Sequence, residues 1–249
     1  MINNYMAVLE YDGTNYSGFQ IQPGGVNTIQ GELVPVLSRV LNEKIDIQYA
    51  GRTDAGVHAR YQVINFKTKK EPDIYRILWS INSLLPDDIV IKKIERVSPS
   101  FDARRDASLR EYSYFVVNKG YQSVFLKKYS ILITRKLEIK AIKKAARMFL
   151  GAKDFASFCN VECLSGNTVR KVYRFTVERT RDDLVIFKIA ANSFLYNMTR
   201  VIVGTVLEVG NGQRAISSIS EALKNRDRKF AGGIVPAKGL FLTRVEYFR

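Results

Sequence analysis

Residue types that could do chemistry are concentrated in one short segment, Ala50-Gly-Arg-Thr-Asp-Ala-Gly-Val-His-Ala59. Gly51 and Gly56 bracket a cation, a hydroxyl and the carboxylate of Asp54. Glycine is favoured where the backbone needs a positive φ or where another group approaches it closely. An aspartate in such a turn often only hydrogen-bonds its own backbone, and the local pattern alone favours that interpretation. The alternative is a carboxylate that takes part in acid–base or nucleophilic chemistry.

The flanking residues predict that this segment joins two β-strands. Residues 45–49 alternate apolar and polar side chains, and residues 61–66 are rich in aromatic and β-branched side chains. Apolar side chains recur at helical spacing in five other segments. They predict helices that begin at Asn27 or Thr28 and at Asp73, and helices over residues 139–150, 194–209 and 216–223.

Strands and helices are interspersed along the chain, and many of the connections look like hairpins. This order predicts an α+β fold with a largely antiparallel sheet and helices packed against it. The 249 residues, 46% of them hydrophobic, suffice for one large domain or two closely packed lobes. No linker or repeat marks a boundary. We place the division between residues 1–105, which carry Asp54, and residues 106–249.

The chain carries a large excess of positive charge. Lys and Arg total 39 against 24 acidic residues, which gives a formal net charge of +15. Such an imbalance indicates a partner that carries phosphates, and 13 tyrosines and 14 phenylalanines are available to stack on bases. No strongly basic amphipathic helix with an aromatic face supports a membrane surface as the partner. The composition therefore predicts nucleic-acid binding, without deciding between DNA and RNA.

Metal-binding side chains are scarce. His58, Cys159 and Cys163 cannot supply four ligands for a Cys/His zinc site, and we expect free thiols and a histidine that packs within its turn. The N-terminus lacks a signal-peptide pattern and no run of about 18 apolar residues occurs, so we expect a cytoplasmic protein without a membrane span. No helix-turn-helix or zinc-finger spacing supports a DNA-binding protein.

Six motifs spread along nearly the whole chain together resemble the tRNA pseudouridine synthase A (TruA) family. The segment at residues 50–59 resembles the family signature almost letter for letter. The other motifs follow in the family's order and are Tyr11–Gln20, Phe101–Arg104 with Arg110–Tyr112, Asp154–Phe158, Phe194–Arg200 and Gly239–Leu242. A lone Gly-Arg-Thr-Asp would be a weak signal, whereas six motifs in order are specific.

The resemblance implies an isomerase that converts uridine to pseudouridine at positions 38, 39 and 40 of the tRNA anticodon stem-loop. It also implies that the enzyme uses neither a metal nor an organic cofactor, and that it forms a homodimer. The implied fold has two related α+β lobes that share a mixed, eight-stranded sheet, with the RNA-binding cleft between the lobes.

The reaction itself indicates how many carboxylates are needed. The uracil must leave its ribose, rotate and rejoin through ring carbon 5, and no water enters the product. A glycosidase that hydrolyses its substrate generally needs two carboxylates, whereas an isomerase that recaptures its leaving group needs one. The resemblance matches Asp54 to the family's catalytic aspartate. The sequence leaves open whether Asp54 attacks the anomeric carbon of the sugar or takes a neighbouring sugar proton.

The resemblance also gives roles to other residues. Arg200 matches the cation that would keep Asp54 ionised in a desolvated pocket, and the alternative is a cation on a helix surface. Tyr112 matches the tyrosine whose ring packs on the target base, and the alternative is a residue that fills the core. Arg52 is the candidate to fill the space that the flipped-out nucleotide vacates. The candidate phosphate contacts are Arg104, Arg105 and Arg110.

The chain also departs from the family pattern. The departures are Phe19, Arg105, Asp106, Lys153, Tyr196 and Thr199. None of them removes the proposed catalytic residues, but they put individual RNA contacts in doubt. The alternative function is therefore a non-catalytic RNA-binding or RNA-folding protein on the same scaffold.

Overall fold

The computed structural model describes residues 2–160 and 166–247, so Cys163 lies outside the described residues. The chain forms two compact units. The first comprises Met1–Ser108 with Phe241–Arg249, and the second comprises Leu109–Leu240. The first segment of the first unit ends at Ser108, three residues after the expected division at residue 105. The second unit differs from the expected lobe of residues 106–249 because the closing strand of the chain returns to the first unit.

Ten strands and five α-helices are interspersed along the described residues. In chain order they are β1 (Asn3–Tyr11), α1 (Ile29–Leu41), β2 (Ile47–Tyr49), β3 (His58–Thr68), α2 (Ile74–Asn82), β4 (Ile89–Val97), β5 (Leu109–Val117), β6 (Ile131–Leu132), α3 (Ile139–Arg147), β7 (Gly151–Asp154), β8 (Val169–Arg179), β9 (Leu184–Ala191), α4 (Met198–Gly210), α5 (Ser217–Asn225) and β10 (Leu240–Glu246).

Strand pairing is mixed and largely antiparallel in both units, which confirms the predicted α+β class. In the first unit the strands lie in the order β4, β1, β3, β10, and β2 also pairs with β3. Among the strand pairs described in this unit, the pairing of β3 with β10 is parallel and the others are antiparallel. In the second unit β5, β9, β8 and β7 pair antiparallel, and the short strand β6 pairs parallel with β5.

Helix α1 shows how local sequence sets the ends and the packing of an element. Its buried side chains recur every four residues from Ile29 to Leu41, which gives the helix one apolar face. Thr28, not Asn27, is the N-cap residue, because its side chain accepts a hydrogen bond from the Gly31 N–H at 3.1 Å. Gln30 Oε1 accepts a hydrogen bond from the Ile21 N–H at 3.1 Å.

Helix α4 begins four residues later than the sequence pattern indicates. The expected start was Phe194, but Asn197 has a φ of +61°, in the left-handed region, and the helix begins at Met198. A right-handed helix cannot continue through such a residue. Almost the whole circumference of α4 is buried, which explains why its apolar pattern continues around the helix.

No helix in the described part of the chain is long and apolar enough to span a membrane.

Candidate active site

The signature segment forms a tight connection between β2 and β3 in the first unit. The Val57 N–H donates to the Asp54 carbonyl at 3.1 Å, and Gly56 has a φ of +73°. Gly51, expected to bracket the turn in the same way, is not in the left-handed region. The Asp54 side chain is partly exposed and Arg52 is exposed. Asp54 is therefore not enclosed in the core.

The first motif packs directly against the backbone of this loop. A Cβ at Gly13 would lie 2.0 Å from the Val57 carbonyl oxygen, and a Cβ at Gly18 would lie 2.9 Å from the Thr53 carbonyl oxygen. Gly18 also has a φ of +103°. The Phe19 N–H donates to the same Thr53 oxygen at 3.0 Å. Both glycines are needed because the two motifs meet main chain to main chain.

A buried set of polar groups fixes the start of the loop. The Tyr11 hydroxyl hydrogen-bonds Thr53 Oγ1 at 2.7 Å, and Gln62 Nε2 donates to the Gly51 carbonyl at 2.8 Å. Burial raises the pKa of the Tyr11 hydroxyl well above its ordinary value of 10, although hydrogen bonds from Thr53 and Gln62 oppose that shift. Tyr11 therefore stays neutral near neutral pH and serves as a structural hydrogen-bonding group.

His58 is completely buried just after the loop. The Gly13 N–H donates to His58 Nδ1 at 3.1 Å, and a carboxylate oxygen of Asp12 lies 3.0 Å from the same nitrogen. The imidazole stacks on the Phe241 ring with centroids 4.5 Å apart. His58 thus connects the first motif, β3 and β10, which agrees with the expected packing role.

Arg104 and Arg105 project from a tight turn in the same unit. Asp102 Oδ1 accepts hydrogen bonds from the N–H groups of both arginines, at 2.8 and 2.9 Å. Asn65 Oδ1 accepts from the Ala103 N–H at 2.8 Å, which anchors the turn to β3. Both arginine side chains are exposed. This geometry presents two cations to solvent on a fixed backbone.

Tyr112 lies on β5 in the second unit, and its ring contacts Phe194 edge to face, with centroids 5.1 Å apart. Tyr112 is only 7% exposed. Arg110, two residues earlier, is 8% exposed and its Nη1 donates to the Asn192 carbonyl at 2.8 Å. Two contacts therefore join the start of β5 to the segment that precedes α4.

Arg200 lies in the first turn of α4 and is partly exposed. Its Nε donates to the Val235 carbonyl at 2.8 Å, and its Nη1 donates to Asn197 Oδ1 at the same distance. Asn197, whose left-handed backbone immediately precedes the first residue of α4, thus places a side-chain acceptor beside the arginine. Sequence reasoning identified Arg200 but missed both groups that orient it.

The segment that supplies the Val235 carbonyl is fixed to α4 by a second set of bonds. Glu208 Oε1 accepts from the Gly233 N–H at 2.6 Å, and Glu208 Oε2 accepts from Arg214 Nε at 2.7 Å. A Cβ at Gly204 would lie 2.0 Å from the Gly233 carbonyl oxygen. Arg200, Gly204 and Glu208 are spaced four residues apart, so one face of α4 binds this segment.

The described residues contain no cluster of three or more His, Cys, Asp or Glu side chains that could hold a metal ion. The predicted site residues divide between the two units. Arg52 and Asp54 share one loop of the first unit, where Arg104 and Arg105 share another. The second unit carries the remaining three, Arg110, Tyr112 and Arg200.

Comparison with known proteins identifies the family. A tRNA pseudouridine synthase family model matches residues 7–104 and 145–248. The tRNA pseudouridine synthase A of Brevibacillus brevis is 43% identical over 240 residues, which cover 96% of this chain and 98% of the relative. That of a Geobacillus species is 44% identical over 250 residues, which cover 99% of each chain. The chain belongs to the tRNA pseudouridine synthase A family, a family of isomerases.

A solved structure of an H/ACA RNP bound to a substrate RNA containing 2'-deoxyuridine is also similar, at 14% identity and a TM-score of 0.38. The match covers 82% of this chain and 44% of that chain. A TM-score of 0.38 is too low for this similarity to bear on the structure or function of the chain.

Two departures from the tRNA pseudouridine synthase A pattern are accommodated in the fold. Phe19 is completely buried, and its ring lies against Tyr49 with centroids 4.8 Å apart. Thr199 is buried in the first turn of α4. Tyr196 differs from both because 45% of it is exposed. Phe19 and Thr199 are therefore packing substitutions, whereas Tyr196 is able to contact a partner.

Proposed function

We propose that this chain isomerises uridine to pseudouridine in the anticodon stem-loop of tRNA, at positions 38, 39 and 40. The observation that carries the proposal is Asp54, a partly exposed carboxylate in a loop whose backbone is held by the first motif. Membership of the tRNA pseudouridine synthase A family supports the substrate, and the positions follow from the family resemblance.

The target nucleotide must leave the base stack before Asp54 can reach its ribose. Arg52 is exposed and two residues from Asp54, so we assign it the role of filling the vacated space. Unstacking costs a few kcal/mol, and a cation inserted beside the phosphates would offset part of that cost. Arg104 and Arg105 are the proposed phosphate contacts. Arg110 is less suited to that role because it is buried and bonded to a backbone carbonyl.

The chemistry proceeds through one carboxylate. Asp54 either attacks the anomeric carbon or takes the adjacent sugar proton, and the bond between that carbon and ring nitrogen 1 breaks. The uracil rotates and ring carbon 5 bonds to the anomeric carbon, which either displaces Asp54 from that carbon or is accompanied by return of the sugar proton from Asp54. Carbon 5 then loses its proton, and ring nitrogen 1 gains one. The product has the same atoms as the substrate.

Two residues of the second unit complete the proposal. Tyr112 packs on the target base, and we assign its hydroxyl a part in removing the proton from carbon 5. Arg200 keeps Asp54 ionised when the site is closed to water, because a nearby cation favours the charged form of a carboxyl group. The hydrogen bonds to Val235 and Asn197 support this role, since they fix the orientation of the guanidinium.

The enzyme is further proposed to be a cytoplasmic homodimer that needs no cofactor. Incubating the purified protein with unmodified tRNA transcripts and mapping pseudouridine tests the function. We expect product at one or more of positions 38, 39 and 40. Absence of pseudouridine, together with unchanged stem-loops in a deletion strain, would favour the alternative of a non-catalytic RNA-binding protein.

A further inference from the structure

The segment that follows Tyr112 has an unusual charge pattern. Residues 112–137 contain no Asp or Glu, and the first acidic residue after them is Glu138. The same residues include five cations, Lys119, Lys127, Lys128, Arg135 and Lys136. All but Lys119 are exposed, and Lys119 is partly exposed. The whole of this segment lies between the two stretches that match the family model, residues 7–104 and 145–248.

Apolar side chains project from the same segment, in the loop of residues 119–130 between β5 and β6. Phe125 is 86% exposed, Val124 is 80% exposed and Tyr121 is 67% exposed. Lys119 Nζ lies 4.3 Å from the centroid of the Tyr121 ring. Large apolar groups grouped this way on a surface indicate a site for a partner. We refer to residues 119–130 as the basic aromatic loop.

The basic aromatic loop is held in one conformation by its own hydrogen bonds. Ser130 is completely buried, its hydroxyl donates to the Leu126 carbonyl at 2.7 Å, and Gln122 Nε2 donates to Ser130 Oγ at 3.1 Å. Asn118 Nδ2 donates to the carbonyls of Ile133 and Arg135, both at 2.8 Å, which closes the base of the loop. A loop ordered in advance loses little conformational entropy on binding.

We propose that the basic aromatic loop is a second RNA contact, which binds tRNA away from the target uridine. The lysines fit phosphates, and the exposed rings fit the faces of unpaired bases. A second copy of this chain fits less well, because the loop has no acidic residue to pair with its lysines. The Asn118 N–H, next to the loop, donates to the Asp183 carbonyl at 2.8 Å, and the Asp183 carboxylate pairs with Arg179 at 2.7 Å.

The spacing along β5 places the contact relative to the target base. Tyr112, the proposed partner of that base, lies five residues before Val117, where the strand ends. At about 3.4 Å per residue the strand ends roughly 17 Å from Tyr112, and the basic aromatic loop begins two residues later. The loop would therefore contact nucleotides beyond the flipped one. This inference rests on the proposed function, because tRNA is the occupant in both.

The test compares a full-length tRNA transcript with an isolated anticodon stem-loop RNA. Two variants remove the proposed contacts, Phe125→Ala and the double variant Lys127→Ala/Lys128→Ala. We expect each to raise KM for full-length tRNA about tenfold with kcat within about twofold. With the stem-loop RNA, we expect both variants to match the wild type. The double variant should also make tRNA affinity less dependent on salt, because two phosphate contacts are lost.

Matched controls are available in the same chain. Lys143→Ala/Lys144→Ala removes an adjacent, exposed lysine pair from α3, and Trp79→Ala removes an exposed aromatic ring from α2. Neither control should change KM for full-length tRNA by more than about twofold, and thermal melting checks that all variants fold.

Each remaining outcome has a defined meaning. Loop variants with wild-type KM and wild-type tRNA affinity would overturn the inference while leaving the proposed function intact. Loop variants that sediment as monomers beside a dimeric wild type would assign the loop to contact between copies. Loss of binding to phosphatidylserine vesicles with intact tRNA affinity would assign it to a membrane. An inactive wild type would overturn the proposed function, and tRNA binding by wild type and variants would still test the loop.

Discussion

The loop that contains Asp54 and the N-terminal turn of α4, which contains Arg200, are held in place by different kinds of contact. In the first unit, Gly13 and Gly18 let one stretch of main chain lie directly against another. In the second unit, the Arg200 guanidinium is oriented by hydrogen bonds to a carbonyl and to an amide side chain. The position of Asp54 therefore depends on the backbone, whereas that of Arg200 depends on side-chain hydrogen bonds.

Among the substitutions that test this comparison, the largest effect is expected at Arg200. Arg200→Ala removes the cation that would keep Asp54 ionised, and we expect kcat/KM on tRNA to fall about 10³-fold. Arg200→Lys keeps the charge but loses the guanidinium that donates to both the Val235 carbonyl and Asn197 Oδ1. Its kcat/KM should therefore lie between those of Arg200→Ala and the wild type. Lys188→Ala, which breaks a surface ion pair with Glu178, is the control and should leave activity unchanged. Equal activity of Arg200→Ala and the wild type would remove Arg200 from the mechanism.

A substitution at Gly13 tests the main-chain side of the comparison. Gly13→Ala places a methyl group 2.0 Å from the Val57 oxygen, so the loop must move, at a cost of about 3 kcal/mol in the free energy of unfolding. Gly120→Ala is the control, because nothing lies within 4 Å of its Cβ. Chemical denaturation measures both. Similar stabilities for the two variants would show that close packing does not hold the Asp54 loop.

A smaller effect is expected from a change at Glu208, which fixes the segment whose Val235 carbonyl accepts from Arg200. Glu208→Gln keeps an acceptor for the Gly233 N–H but removes the charge that pairs with Arg214. We expect a loss of about 1.5 kcal/mol in the free energy of unfolding and a lower kcat with KM unchanged. Val206→Ala, a buried change on the same helix, controls for stability and should not lower kcat specifically. A Glu208→Gln variant with wild-type kcat would show that the ion pair of Glu208 with Arg214 does not help to orient Arg200.

The smallest effect concerns the buried hydroxyl beside the Asp54 loop. Tyr11→Phe removes the hydrogen bond to Thr53 and should cost about 1 kcal/mol at neutral pH. Burial raises the pKa of Tyr11, so the hydroxyl stabilises the fold below the ordinary tyrosine value of 10 and loses that effect as the pH rises through the raised value. The stability difference between wild type and Tyr11→Phe should therefore shrink above pH 10. Denaturation curves at neutral and alkaline pH check this, and a constant difference would contradict it.

The sequence predicted the larger elements because their patterns are local. Asp73 caps α2 as expected, through a hydrogen bond from the Arg76 N–H at 3.1 Å. The start of α4 was missed because the left-handed backbone of Asn197 leaves no mark in the apolar spacing. The short strands β6 and β7 were missed because two and four residues are too few to show alternation.

Candidate site residues could be predicted from the sequence where they belong to a motif. Their hydrogen-bond partners could not be predicted, because the fold brings them close from distant parts of the chain. Asp54 and Arg200 were singled out from their motifs, and their roles stay predictions. The Val235 carbonyl that orients Arg200 was not singled out, because the two residues are 35 positions apart and a carbonyl has no side-chain identity. The burial of Arg110 could likewise not be predicted from the sequence, because a charged residue on a strand is most often exposed.

The most direct test of the proposed chemistry is a single-turnover assay of Asp54→Asn with excess enzyme and a uridine-containing tRNA transcript. The asparagine is almost the same size, so the variant should fold and bind tRNA within about twofold of the wild type while kcat falls at least about 10⁴-fold. We predict pseudouridine in the anticodon stem-loop with the wild type and none with the variant. Pseudouridine formation by Asp54→Asn at a rate near that of the wild type would contradict catalysis by this carboxylate.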